Sequence, residues 1–390
     1  MQNIDVAIVG GGAAGLACAV NLKKLNSAIK VTIIEAGERL GKKLAATGNG
    51  QGNVTNCNMD GKYYFGGNVG LVEQIACKGE RVEANLFHCV LTPDDRGRVY
   101  PGGKQASALV DSLMVDIKRF DIQTLLNVKV VDIAKGFTLT LSDGQKLHAK
   151  YVVLAVGGKA QKQFKTDGTS YALAQKFGHS LTNLYPSLVQ LKTDMQHIKT
   201  LKGIRVDCVV SAIYRGQIIT TKRGDVIFTD YGVSGNAIFE ISPYVVDKQG
   251  VMLSLHFLPD CDDVVLKDIK AKKALGYPKS ELLSGTLHNQ LGRAIMKRCD
   301  SDDENVVAET VKNFTLPVTG NLGFDYAQVT KGGINMKEVS DELESKLVKN
   351  LFFAGEVLDV DGECGGYNLH WAFASAKHVA EQINSRESND

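Results

Sequence analysis

Short apolar runs alternate with glycine-rich turns at both ends of the chain, and the middle has a different texture. Ile4–Val9 is a continuous apolar run, which predicts a buried strand. Three glycines follow, and Ala13–Leu25 carries apolar residues three and four apart, which predicts a helix. Lys30–Glu35 predicts a second strand, so the chain opens on a strand–helix–strand unit. Gly41–Asn56 is too polar for a core and reads as a loop. Helices are expected over 73–88 and 104–119, and strands over 122–133 and 137–147 with a turn at Ser142-Asp143-Gly144. A further buried strand, Tyr151–Val156, ends at Gly157-Gly158, and Thr169–Phe177 reads as a helix stopped by Gly178. From Leu188 to Leu258 the runs are short, alternating and punctuated by Gly, as in a β-barrel or sandwich. Asp262–Phe314 is helical in pattern. Short strands return after Pro317, then a buried strand at 350–354, a Gly-rich loop, and a helix from about Asn368 to Asn384.

This order predicts an α/β fold: a Rossmann-like dinucleotide domain whose first and last segments belong together, with a β-rich, barrel-like insertion that carries a small helical piece. The expected boundaries are 1–187 with 334–390 for the dinucleotide domain, 188–261 with 315–333 for the β-rich domain, and 262–314 for the helical domain.

Composition narrows the chemistry. The 390 residues carry 45 Lys+Arg against 43 Asp+Glu, so no global field favours a nucleic-acid or membrane partner. No apolar stretch is long enough to span a bilayer, and the first residues lack the basic region of a signal peptide; a cytoplasmic protein is expected. The eight cysteines are scattered, with no pair at redox spacing and no metal-ligand cluster. No metal site and no nucleic-acid partner are expected.

Gly10-x-Gly12-x-x-Gly15 lies between the first strand and the first helix. Gly10 permits the turn, Gly12 lets the backbone approach a pyrophosphate at the helix N-terminus beside Ala13 and Ala14, and Gly15 lets helix and strand pack. Glu35 ends the next strand, followed by Ala36, where a carboxylate binds ribose hydroxyls and repels a 2′-phosphate. FAD or NAD fits. The long segment 37–56, with Lys43, Thr47, Gly48, Asn49, Gly50 and Asn53, suits a ligand that extends past the pyrophosphate, which selects FAD. In the closing segment, Gly355-Glu356 ends a strand, and Gly365-Gly366 opens a helix whose first N–H groups, from Tyr367 and Asn368, face the place of the flavin pyrimidine edge. Gly157 ends the third buried strand. No second G-x-G-x-x-G follows it, so NAD(P)H is expected as a transient donor at the open flavin face.

The stretches VAIVGGGAAGLACA, RLGKKLAATGNGQGNVTN, FTDYGVSG, AQVTKGGINMKEV and LFFAGEVLDVDGECGGYNLHWAFAS span nearly the whole chain. Together they resemble the bacterial BaiN/RdsA-like flavoproteins. The resemblance implies a three-domain FAD-dependent oxidoreductase. Family members include a bile-acid enone reductase and an aminoacetone oxidase. Departures stand at Gln51-Gly52, where the family has Arg-Cys, at Asp230 and Asn236, where it has His and Pro, and at His370 and Phe373, where it has Gln and Trp. The resemblance places Asp230 and Tyr231 near the substrate domain as catalytic candidates for proton transfer. The expected reaction is NAD(P)H-dependent reduction of a C=C bond conjugated to a carbonyl in a small organic substrate, by hydride from flavin N5. The alternatives are an amine or amino-ketone oxidase using oxygen, and a non-catalytic flavin-binding redox sensor.

Overall fold

The computed structural model describes residues 2–78, 81 and 85–388. The chain divides into two compact units, Met1–Tyr185 with Val329–Asp390, and Pro186–Gln328.

The first unit is built on a seven-stranded sheet. Gln2–Val9 lies at its centre, parallel to Val31–Ile34 on one side and to Lys146–Leu154 on the other. Gln123–Leu125 extends the sheet beyond Val31–Ile34, again parallel. Ala13–Leu25 makes the crossover between the parallel strands Gln2–Val9 and Val31–Ile34. Lys146–Leu154 does two jobs. Its first residues pair antiparallel with Thr138–Leu141, and its last pair in parallel with Leu351–Phe353. Burial changes along it accordingly, alternating from Lys146 to Lys150 and continuous from Tyr151 to Leu154. That change of period is why the pattern reads as two strands when the chain makes one. Val130–Ala134 completes the sheet.

The helix expected over 73–88 has its described start in a turn that continues from residues before it. Val69–Val72 is α-helical and Glu73–Cys77 a single wider turn; residues 79, 80 and 82–84 lie outside the described residues. The 104–119 expectation corresponds to Ser107–Arg119.

The second unit is a closed six-stranded antiparallel barrel. Around the barrel run Leu191–Thr193, Gly232–Ser234, Gln217–Phe228, Arg205–Tyr214, Met252–His256 and Phe314–Asn321. Closure leaves no strand edge to pair elsewhere. One element of this region is a helix where the pattern suggested strand, Asn236–Val245. Its buried Ala237, Ile238, Ile241 and Val245 recur at helical spacing, but Pro243 and the β-branched composition masked the period. The helices Asp262–Ala274, Asn289–Cys299 and Glu304–Lys312 share one core with the barrel, through Val265, Ile269, Leu291, Ile295, Val307 and Val311.

A buried histidine gives the first unit a pH dependence. His179 Nε2 lies 2.7 Å from Ser345 Oγ, Glu338 Oε2 lies 3.3 Å from Nδ1, and the ring meets Phe353 edge-on. Burial lowers its pKa from the ordinary value, and Glu338 offsets this only in part. The folded state therefore binds fewer protons than the unfolded chain near the ordinary histidine pKa, and stability rises with pH there. The contribution is present above pH ~6.5 and is lost as pH falls through the lower folded value. The thermal midpoint of the wild type should drop between neutral and mildly acid pH, and His179→Gln should flatten that slope. An unchanged slope in the variant would remove His179 as its source.

Candidate functional site

The three glycines of the first turn have separate reasons to be glycine. Gly10 has φ +106°, and a Cβ there would stand 2.4 Å from Ala155 O. A Cβ on Gly15 would stand 1.9 Å from Gly10 O. Gly12 is different: its φ of −80° suits any residue, and a Cβ would meet nothing within 4 Å. The protein itself makes no demand for glycine at 12, so the space above it is free for a ligand. Gly12 caps the helix Ala13–Leu25 without a side-chain acceptor, and Leu16 N–H is the one bonded to Gly12 O, at 3.0 Å. The N–H groups of Ala13, Ala14 and Gly15 lead the helix, which makes its N-terminus an anion site. Glu35 sits beside the turn. Its Oε2 accepts Gly11 N–H at 2.7 Å and its Oε1 accepts Gly37 N–H at 2.6 Å. A carboxylate has about four acceptor sites, so two remain for a ribose diol next to Ala36. The open glycine, the free helix terminus and the anchored carboxylate fit a dinucleotide such as FAD.

The second loop holds its own shape. Gly48 and Asn49 are both left-handed, at φ 58° and 54°, and Gly50 again faces open space. Thr47 Oγ1 donates to Leu44 O at 2.7 Å, and Asn53 Nδ2 donates to Thr55 O and Val99 O. The Thr47 hydroxyl proton and the Asn53 amide are thus spent on the fold, and the backbone of 48–50 is what the loop offers a ligand. Gly52 has φ +74°, and a Cβ would stand 2.9 Å from both Ala106 Cα and Leu109 Cδ1, so this position is kept as glycine by backbone and packing together.

Lys43 leads from this loop to the closing segment. Its Nζ is 2.9 Å from Glu356 Oε2, and Glu356 Oε1 accepts Thr330 N–H at 2.9 Å. Thr330 Oγ1 in turn accepts the N–H groups of Lys159 and Ala160, at 2.7 and 3.0 Å. A Cβ on Gly158 would stand 2.5 Å from that hydroxyl, and Gly157 turns with φ +71°. Thr330 is a residue that sequence reasoning missed. It lies inside the stretch AQVTKGGINMKEV, but a lone threonine between apolar residues carries no spacing signal.

The closing strand docks on the first helix, since a Cβ on Gly355 would stand 2.8 Å from Ala14 Cβ. Gly355 N–H donates to Ser375 Oγ, and Trp371 Nε1 donates to Gly355 O at 3.2 Å. The helix Tyr367–Glu387 starts at Gly366, where φ is +101° and a Cβ would stand 2.3 Å from Thr55 O. Asn56 Nδ2 donates to Gly365 O, which fixes the turn from the other side. The side chains of Tyr367 and Asn368 belong to packing. Tyr367 is buried, stacks on Tyr63 at 4.7 Å and donates to Asn58 O. Asn368 brackets Gly362, accepting its N–H and donating to its carbonyl, both at 2.8 Å. The functional offer of these two residues is their backbone N–H groups. His370 is buried between Ala76 O, to which Nε2 donates at 2.7 Å, and Thr55 Oγ1, 2.8 Å from Nδ1.

The first unit thus contains every candidate cofactor residue: Gly10, Gly12 to Gly15, Glu35, Ala36, Lys43, Thr47 to Gly50, Asn53, Gly157, Gly355, Glu356 and Gly365 to Asn368. Asp230 and Tyr231 belong to the second. Asp230 is exposed, and Lys202 hydrogen-bonds it at 2.7 Å, which holds its carboxyl below the usual range. The Lys202 ammonium takes up Asp230 Oδ2. Tyr231 is half-buried, and its carbonyl accepts Thr193 N–H at 3.2 Å.

Residues 4–382 match the family model described as the HI0933-like protein Rossmann domain. The chain belongs to the HI0933-like family. Within that setting it is similar to a 3-dehydro-bile acid delta(4,6)-reductase of Clostridium scindens, at 32% identity over 95% of this chain and 96% of the relative. It is also similar to a ribosomal RNA dihydrouridine synthase of Escherichia coli, at 26% identity over the whole of both chains. Among solved structures, 3-ketosteroid delta1-dehydrogenase from Sterolibacterium denitrificans shares the fold at a TM-score of 0.54 and 12% identity, covering 99% of this chain and all of that one. This HI0933-like protein is an FAD-dependent oxidoreductase. Among its described residues no helix is long and apolar enough to cross a membrane, and no group of three His, Cys, Asp or Glu is placed to hold a metal ion.

Proposed function

We propose that this flavoenzyme reduces a C=C bond conjugated to a carbonyl in a small organic substrate, with NAD(P)H as its hydride source. The observation that carries this reading is the similarity, along nearly the full chain, to a reductase whose name denotes an unsaturated 3-oxo bile acid. The second relative's name denotes the same bond change, since dihydrouridine is uridine saturated at a C=C bond next to a carbonyl. The two relatives differ in the size and charge of what they act on. Acidic and basic residues balance in the barrel unit as they do in the whole chain, which favours a small substrate over polyanionic RNA.

FAD, when bound, supplies a centre that takes up a hydride and passes it on. The chain's own residues bind and orient. The N-termini of the helices Ala13–Leu25 and Tyr367–Glu387 face negative charge, Glu35 takes ribose hydroxyls, and Lys43 with Glu356 and Thr330 lines the stretch between them. For proton transfer, the candidates are Asp230 and Tyr231.

Anaerobic stopped-flow mixing tests the reading. NADH or NADPH should bleach the flavin, and a 3-oxo steroid enone should restore its colour. Bleaching by an amine and by neither nicotinamide would replace this reading with an oxidase. Recolouring by unmodified ribosomal RNA and not by enones would replace the substrate class.

A further inference from the structure

His370 ties the start of the helix Tyr367–Glu387 to the second loop, and both offer backbone to a cofactor. That helix start lies beside the first glycine turn. A Cβ on Gly355 would stand 2.8 Å from Ala14 Cβ and 3.7 Å from Ala372 Cα, so Gly355 is the contact point of the two helices near their N-terminal ends. His370 is 3% exposed, and its N–H donates to Gly366 O at 3.0 Å, closing the first turn.

Thr55 meets this turn twice. Its carbonyl would stand 2.3 Å from a Cβ on Gly366, and its hydroxyl lies 2.8 Å from His370 Nδ1. The same carbonyl accepts Asn53 Nδ2 at 3.0 Å, which binds Thr55 to the loop that precedes it. On the other side of the ring, Ala76 O can only accept, so Nε2 carries the ring hydrogen and donates it at 2.7 Å. Ala76 belongs to the wider turn Glu73–Cys77, a rare geometry that is frequent at functional sites. The imidazole thus joins residues 53–55, 76 and 366–370, which no local pattern connects. Both ring nitrogens are engaged by protein, so His370 acts on a cofactor through the helix and not by contact.

We propose that His370 is a positioning residue: it fixes the first N–H groups of Tyr367–Glu387 against the second loop, and through the helix dipole it raises the reduction potential of bound FAD. The proposal rests on the FAD reading of this site. Reduced flavin carries more negative charge at its pyrimidine edge than oxidised flavin. A helix N-terminus favours that charge only within about one turn, so a helix start that shifts or loosens weakens binding of the reduced form first.

The test is the midpoint potential of FAD-loaded His370→Leu, His370→Gln and Thr55→Val against a reference dye, beside the melting temperature of each apoprotein. His370→Leu loses both ring bonds. Its affinity for reduced relative to oxidised FAD should fall about tenfold, which lowers the potential of a two-electron couple by about 30 mV. Thr55→Val removes the hydroxyl alone and should shift the potential the same way by less. His370→Gln keeps an amide donor for Ala76 O and should return close to the wild-type potential. A wild-type potential in His370→Leu or in Thr55→Val would overturn the proposal whatever their melting temperatures, because His370 would then serve stability alone. A His370→Gln potential as low as that of His370→Leu would overturn it too, because the bond to Ala76 O would not be what holds the helix start. If His370→Leu takes up no flavin, Thr55→Val decides by the same criterion. Failure of wild-type apoprotein itself to bind FAD would instead overturn the reading on which the proposal stands.

Discussion

Gly12→Glu should fold as well as the wild type and emerge from purification colourless. The backbone at Gly12 is already in a region open to every residue, and a Cβ there meets nothing within 4 Å. The new carboxylate would sit at the N-terminus of Ala13–Leu25, where a negative charge stabilises a helix by about 0.3–1 kcal/mol. Apo stability should hold or rise slightly. The same carboxylate fills the approach to the helix N–H groups and repels a pyrophosphate, so FAD affinity should fall by about two orders of magnitude or more, a cost of ~3 kcal/mol. Flavin content by absorbance and the thermal midpoint of the apoprotein check the two halves. A yellow, stoichiometrically loaded variant would show that the pyrophosphate does not lie over Gly12.

Gly15→Ala should do the opposite, failing in the fold before any question of cofactor arises. Its Cβ would stand 1.9 Å from Gly10 O, with Ile8 Cγ2 at 3.3 Å. Neither neighbour is the end of a flexible side chain. The oxygen is backbone, in a turn whose own glycine is confined by Ala155 O at 2.4 Å. Relief requires the first helix to move off the central strand, against a core that includes the fully buried Leu16, Ala17, Cys18, Ala19 and Val20. Overpacking of this kind costs about 3 kcal/mol or more, which for a unit of this size lowers the melting temperature by roughly 6–12 °C. Thermal melting of the apoprotein measures it, and a midpoint within a degree or two of the wild type would mean that the turn is far softer than its contacts indicate. The two substitutions separate a glycine kept for a ligand from a glycine kept for packing.

The contrast also marks what a sequence reveals. Gly10, Gly12 and Gly15 are legible because a tight turn between strand and helix imposes its demands over six consecutive residues. The first strand–helix–strand unit is legible for the same reason, and Ala13–Leu25 has the bounds its pattern implies. The barrel shows as a texture of short alternating runs, but the helix Asn236–Val245 hides inside it because Pro243 and isoleucines disguise a helical period. Strand Lys146–Leu154 has the pattern of two strands because half of it is covered on both faces and half on one. The site is legible where backbone makes it and obscure where side chains do. Lys43 and Glu356 meet across 313 positions of sequence, and no local pattern pairs them. Asn53 and Asn368 look like ligand residues by type, yet their amides serve the backbone of Thr55, Val99 and Gly362.

The chain has one tryptophan, Trp371, and its indole N–H is fixed on the carbonyl of Gly355. The molecule therefore carries a single tryptophan fluorophore, placed where the closing strand meets the first helix and absent from the barrel. Emission excited at the tryptophan edge reports on the first unit alone, and the barrel is silent to it. Bound flavin, which absorbs where tryptophan emits, would draw off that emission by energy transfer, so cofactor occupancy and the melting of one unit can both be followed without a label.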